Sequence, residues 1–68
     1  MAIAVEIPEL AVVELTHAID GHPSGAVGVV VSAHPEDDSY TIEFVDPAGR
    51  AEDFIFARSG DLRITALA

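Results

Sequence analysis

The run Gly25-Ala-Val-Gly-Val-Val-Val31, followed shortly by Tyr40-Thr-Ile-Glu-Phe-Val-Asp-Pro-Ala-Gly49, sets the strictest limit on how this chain folds. Two glycines punctuate the entry to a valine-rich segment, and β-branched residues favour extended backbone. After an acidic turn comes a cleanly alternating segment that ends in Pro-Ala-Gly. There Pro47 presets the backbone and Gly49 tolerates a positive φ. Short strands joined by tight turns predict an all-β fold, a small and sharply curled antiparallel barrel.

The first strand is read over Ala11–Leu15, with Val13 and Leu15 on one face and Val12 and Glu14 on the other. Ile7, Leu10, Ala11 and Glu14 also fit helical spacing, but Val12-Val13 and the preceding Pro8 favour a strand. Thr16–Gly25 is a loop rich in turn formers. A second strand, about Val27–Ala33, places Val27, Val29 and Val31 on one face, and Gly28 within it signals a bulge or a close backbone approach. Tyr40, Ile42 and Phe44 alternate with Thr41 and Glu43 in the third. The fourth, about Ala51–Ala57, carries Phe54 and Phe56 on one face. Ser59-Gly-Asp61 reads as one short helical turn, and a final strand pairs Leu62 with Ile64.

The expected core is therefore Val13, Leu15, Val27, Val29, Val31, Tyr40, Ile42, Phe44, Phe54, Phe56, Leu62 and Ile64. Val12, Val30, Val45 and Ile55 are left on the opposite parity. Either strands that bend from one sheet to another bury them too, or they form a docking patch with the apolar segment Ala2–Leu10. Residues 1–9 are read as an apolar N-terminal arm and 10–66 as the barrel domain.

With 68 residues the chain supports one domain, close to the lower size limit for unaided folding. It has no cysteine, so neither disulfides nor a thiolate zinc site adds stability. Its apolar start lacks the basic residues of a secretory signal, and no apolar run is long enough to span a bilayer. A soluble cytoplasmic protein is expected. Twelve Asp and Glu oppose three arginines, for a formal charge of −9. Phosphate neutralisation drives nucleic-acid binding, so nucleic acid is not an expected partner, and the same holds for anionic membranes. A basic protein would be attracted.

Chemistry-bearing residues are few. His17 and His22 share a loop with Asp20, and His34 lies near Asp37 and Asp38. Such a set is compatible with zinc or nickel, but solvated loop histidines are the simpler reading, and no metal or other cofactor is expected. Glu36-Asp37-Asp38 and Glu52-Asp53 fall at turns and strand starts, where water screens them, so they read as a solvated face rather than an acid–base pair. The serines lack a nucleophile elbow, no helix of useful length follows the glycines, and so small a barrel leaves little room for a substrate pocket. No enzymatic activity is expected and no catalytic residue is assigned. Arg58 and Arg63 bracket the Ser59–Asp61 turn, within reach of Asp61 or Glu52. Candidate partner-binding residues are Val12, Val30, Val45, Ile55, Glu36, Asp37 and Asp38.

The segments Val12-Val-Glu-Leu-Thr16, Gly25–Val31, Tyr40–Arg50 and Asp61-Leu-Arg63 together resemble the bacterial family called domain of unknown function 4926, over roughly residues 10–65. The resemblance implies a five-stranded SH3-like antiparallel barrel with a short 3-10 turn before the last strand, and no established catalytic residues. It also implies antitoxin- or immunity-type pairing with a neighbouring small protein. The Gly21-His-Pro-Ser-Gly25 loop departs from the family pattern. The Gly-x-x-Gly-x-Val spacing is similar to the KOW motif and to the SH3-like end of nitrile hydratase subunits. The expected function is a small acidic non-catalytic protein-binding module. Alternatives are an antitoxin or immunity-type protein occluding a basic partner, and an accessory subunit stabilising a larger enzyme complex. A second copy of the chain is a further candidate partner.

Overall fold

The computed structural model describes residues 6–45 and 48–67, with the backbone alone at 51 and 52. Five strands follow one another: β1 (Val12–Leu15), β2 (Val27–His34), β3 (Ser39–Val45), β4 (Ala51–Ala57) and β5 (Leu62–Ala66). Single 3-10 turns at Pro35–Asp37 and Ser59–Asp61 precede β3 and β5. All pairings are antiparallel, in the order β4-β3-β2-β1-β5. The strands thus run as a meander until the chain crosses back to lay β5 beside β1. The sheet is open rather than a closed barrel: no ladder joins its edges, β4 and β5, among the described residues. No helix among the described residues is long and apolar enough to cross a membrane.

Strands β1 and β3 keep the alternation that their sequences announce. Val13, Leu15, Tyr40, Ile42 and Phe44 are buried, as is Leu62 at the start of β5. In β2 and β4 the faces are the reverse of the expected ones. Val30, Ile55 and Ala57 belong to the core, while Val27, Phe54 and Phe56 are 56%, 57% and 69% exposed. Val31 and Ile64 are also exposed, and Val29 is half-buried. Cross-strand register accounts for the reversal. Val30 pairs with Ile42, which pairs with Ile55, so the three form one inward row. Val29, Glu43 and Phe54 make the adjacent outward row. Because side chains alternate with period two, the side taken by β3 dictates the side taken by its neighbours.

Gly28 and a bulge make this register possible. Gly28 is buried on the Val30 side of β2, where a Cβ would lie 2.6 Å from Ile42 Cγ2 and 2.9 Å from the Glu43 carbonyl oxygen. The glycine therefore marks a close approach, not the bulge itself. The register shift falls between Val30 and Ser32, leaving Val31 as the extra residue and restoring Ala33 to the core side.

Part of the expected N-terminal arm belongs to the core. Ile7 of the arm is buried, as is Ala11 of the expected first strand. The chain reverses at Leu10, whose φ of 71° is left-handed, and the Leu10 N–H donates to the Val30 carbonyl at 2.7 Å. The Ile7 N–H donates to the Tyr40 hydroxyl at 3.4 Å. Backbone bonding to β2 continues past Val12, since the Val30 N–H also donates to the Ala11 carbonyl at 3.0 Å, and the turn closed by the Ala11 N–H on the Pro8 carbonyl ends it. Residues 1–5 of the arm and the Asp46-Pro47 part of the predicted turn lie outside the described residues.

Candidate functional site

The outward row Val29–Glu43–Phe54 continues through Val12 of β1, which pairs with Val29. Thr41 and Phe56 form the neighbouring pair. Together with Val27 and the bulged Val31, these residues make an outer face on which the valines of β2 and the phenylalanines of β4 flank polar Thr41 and Glu43 of β3. Phe54 and Phe56 meet edge to face, with ring centroids 5.8 Å apart and an interplanar angle of 80°. They stand on β4, an edge strand, so both rings and part of the backbone edge remain accessible. Two adjacent exposed aromatic rings beside exposed valines on the same face mark a candidate interaction site. On its far side Glu14 lies opposite Arg63 of β5 and forms an ion pair with it.

The polar residues of the opposite end are occupied with holding loops. His22 stacks on Phe44, with centroids 4.0 Å apart and planes 14° from parallel, and its Nε2 contacts Asp53 Oδ2 at 2.9 Å. This contact holds the Asp53 carboxyl below its usual range, helped by the Phe54 N–H. The loop that follows β1 is thereby folded over the end of the core. Asp38, in a left-handed conformation after the first 3-10 turn, accepts the Ser59 N–H at 3.0 Å and is also held below its usual range. Asp61 accepts the Arg58 N–H at 2.9 Å and contacts His17 Nε2 at 2.6 Å.

That last pair has a pH signature. The His17 pKa is raised, chiefly by its hydrogen bond to Asp61, and the Asp61 pKa is lowered by the Arg58 N–H and then by His17. A raised histidine stabilises below its ordinary value of 6.5, and that contribution fades as pH rises through the folded value. A lowered carboxylate stabilises above its ordinary 3.8, fading as pH falls through the folded value. The melting-temperature difference between wild type and His17→Gln is therefore expected to be largest between about pH 4 and 6.5 and to shrink above it. A difference that grows from pH 6 to pH 8 would contradict the pairing.

A shallow groove of ≈ 330 Å³ lies between the two 3-10 turns, lined by Asp37, Asp38, Arg58, Asp61 and the edge of Phe56. Two of its carboxylates are already committed to backbone N–H groups, so it does not supply a pair of free acids. The three histidines are dispersed: His17 contacts Asp61, His22 contacts Asp53, and His34 lies beside Ser32 and Glu36. Among the described residues no group of three His, Cys, Asp or Glu is placed to hold a metal.

The candidate partner-binding residues do not form one patch. Val30 and Ile55 are core residues and unavailable for docking, because the register with Ile42 turns them inward. Val12 is half-buried in the outer row, Val45 is exposed at the end of β3, and Glu36, Asp37 and Asp38 are exposed on the first 3-10 turn. Arg63 meets Glu14 across the sheet, because β5 pairs with β1, and the Glu52 side chain lies outside the described residues. The residues that do form a surface, Val27, Val31, Phe54 and Phe56, are ones that periodicity places in the core. One signal for the true facing was present: a glycine read as a close approach belongs on a crowded inner side, which places Val30 with it and Val29 outside. Searches of family models, curated proteins and solved structures find no match to this chain.

Proposed function

We propose that the chain is a small, acidic, non-catalytic protein-binding module of the bacterial cytoplasm, and that the outer face of β2, β3 and β4 is its docking surface. The observation that carries this reading is the exposure of Phe54 and Phe56, two of the three phenylalanines, side by side on one edge strand. Aromatic side chains are prominent among the residues that dominate interface energetics. The resemblance to domain of unknown function 4926, which brings an SH3-like scaffold without established catalytic residues, supports the same role. The formal charge of −9 favours a basic partner, which keeps the antitoxin or immunity-type role as the runner-up.

The test is capture from native extract with the wild-type chain and with a Phe54→Ser/Phe56→Ser variant, read by mass spectrometry. Wild type is expected to retain a protein at fixed stoichiometry that the variant loses, while circular dichroism shows both folded. Identical capture by the two folded chains would reject the outer face as the docking surface.

A further inference from the structure

The carboxylates on the outer face differ in what neutralises them. Glu14 is paired with Arg63 across the β1–β5 ladder. Glu43 is half-buried between its cross-strand neighbours Val29 and Phe54, with no side-chain hydrogen bond or ion pair to any described residue. While the face is open, water solvates this carboxylate. A partner that covers Phe54 and Phe56 takes that water away.

We infer that the outer face docks a partner segment that sets a lysine or arginine on Glu43 and apolar side chains over Val31, Phe54 and Phe56. The inference rests on the protein-binding reading above and names the chemistry of the partner. A carboxylate removed from water without a counter-charge is strongly unfavourable, so a wholly apolar segment would pay heavily at Glu43. A cation carried within the segment removes that penalty, and the Phe54 and Phe56 rings offer π faces to the same group. The charge of −9 then steers a basic segment toward the face and opposes a second copy of this acidic chain, which would bring another Glu43 and another −9. Interface centres are generally depleted of charge, so a lone carboxylate in this one acts as a selector for a single kind of residue.

Selection of random displayed dodecapeptides on the immobilised full chain tests this. The enriched sequences are expected to carry Lys or Arg flanked by apolar residues, and synthetic copies should bind Glu43→Gln and Phe56→Ser about tenfold or more weakly than wild type. Selection on Glu43→Lys should enrich Asp or Glu at the same place. Enriched apolar peptides indifferent to Glu43→Gln but lost on Phe56→Ser would overturn the inference and leave the protein-binding reading standing. A dimer in sedimentation that Phe56→Ser dissolves would replace the basic segment by a second copy and overturn it too. If no enriched peptide responds to either Phe54→Ser or Phe56→Ser, both the inference and the outer-face reading fail. Both substitutions fall on exposed side chains and Glu43→Gln preserves shape, so loss of folding does not obscure these outcomes.

Discussion

Gly28→Ala will destabilise the fold by about 1–3 kcal/mol, and Gly28→Val by more. The added Cβ would meet Ile42 Cγ2 at 2.6 Å, and a side chain can give way by a rotamer change at some strain. It would also meet the Glu43 carbonyl oxygen at 2.9 Å, and that oxygen belongs to the backbone of the adjacent β3. Relief would require β2 and β3 to separate at the centre of the sheet. A small domain has little stability in reserve, so the valine variant should be largely unfolded in the absence of ligand. Urea denaturation, with m held comparable, measures the effect. Wild-type stability in Gly28→Ala would show that the inner side of β2 is not where the Val30–Ile42 pairing puts it.

The second large effect separates two neighbours in β4. Ile55→Ala should lose about 2–5 kcal/mol, because Ile55 is 3% exposed and closes the inward row with Val30 and Ile42. Phe56→Ser should change stability by no more than about 0.5 kcal/mol, since that ring is 69% exposed. By size and hydrophobicity alone the expectation would be the opposite, with phenylalanine the costlier loss. A severe Phe56→Ser and a mild Ile55→Ala would reverse the facing of β4. In that event the proposed docking surface would be part of the core, so this stability comparison also bears on function.

Some of this architecture is legible in the residues alone. Tyr40, Ile42 and Phe44 alternate with polar Thr41 and Glu43, so β3 has one plausible inner side and the structure uses it. Val13 and Leu15 are opposed by Glu14 and are equally plain. Ser59-Gly-Asp61 forms a 3-10 turn in place, held by the Asp61 carboxylate on the Arg58 N–H. Strand limits in β4 coincide with the expected range, and the others differ by a few residues at their ends.

The candidate site was less legible because it is made of apolar residues on strands that are apolar on both sides. Val27 through Val31 and Phe54 through Ala57 offer alternation no contrast to read, and ranking by size places the phenylalanines inside. Nor is the role of Ile7 visible locally: its partner Tyr40 is distant in sequence, and the link depends on a left-handed turn at Leu10, a residue type that seldom adopts it.

Order along the chain thus dictated which segments are extended and the inward side of β1 and β3, where apolar alternates with polar. Facing in β2 and β4 was settled between strands, by the Val30–Ile42–Ile55 register, the space left by Gly28 and the bulge at Val31. The physical reason is that hydrophobic burial is indifferent to which of two apolar sides it covers, whereas a hydrogen-bonded ladder admits one parity once its neighbour is fixed.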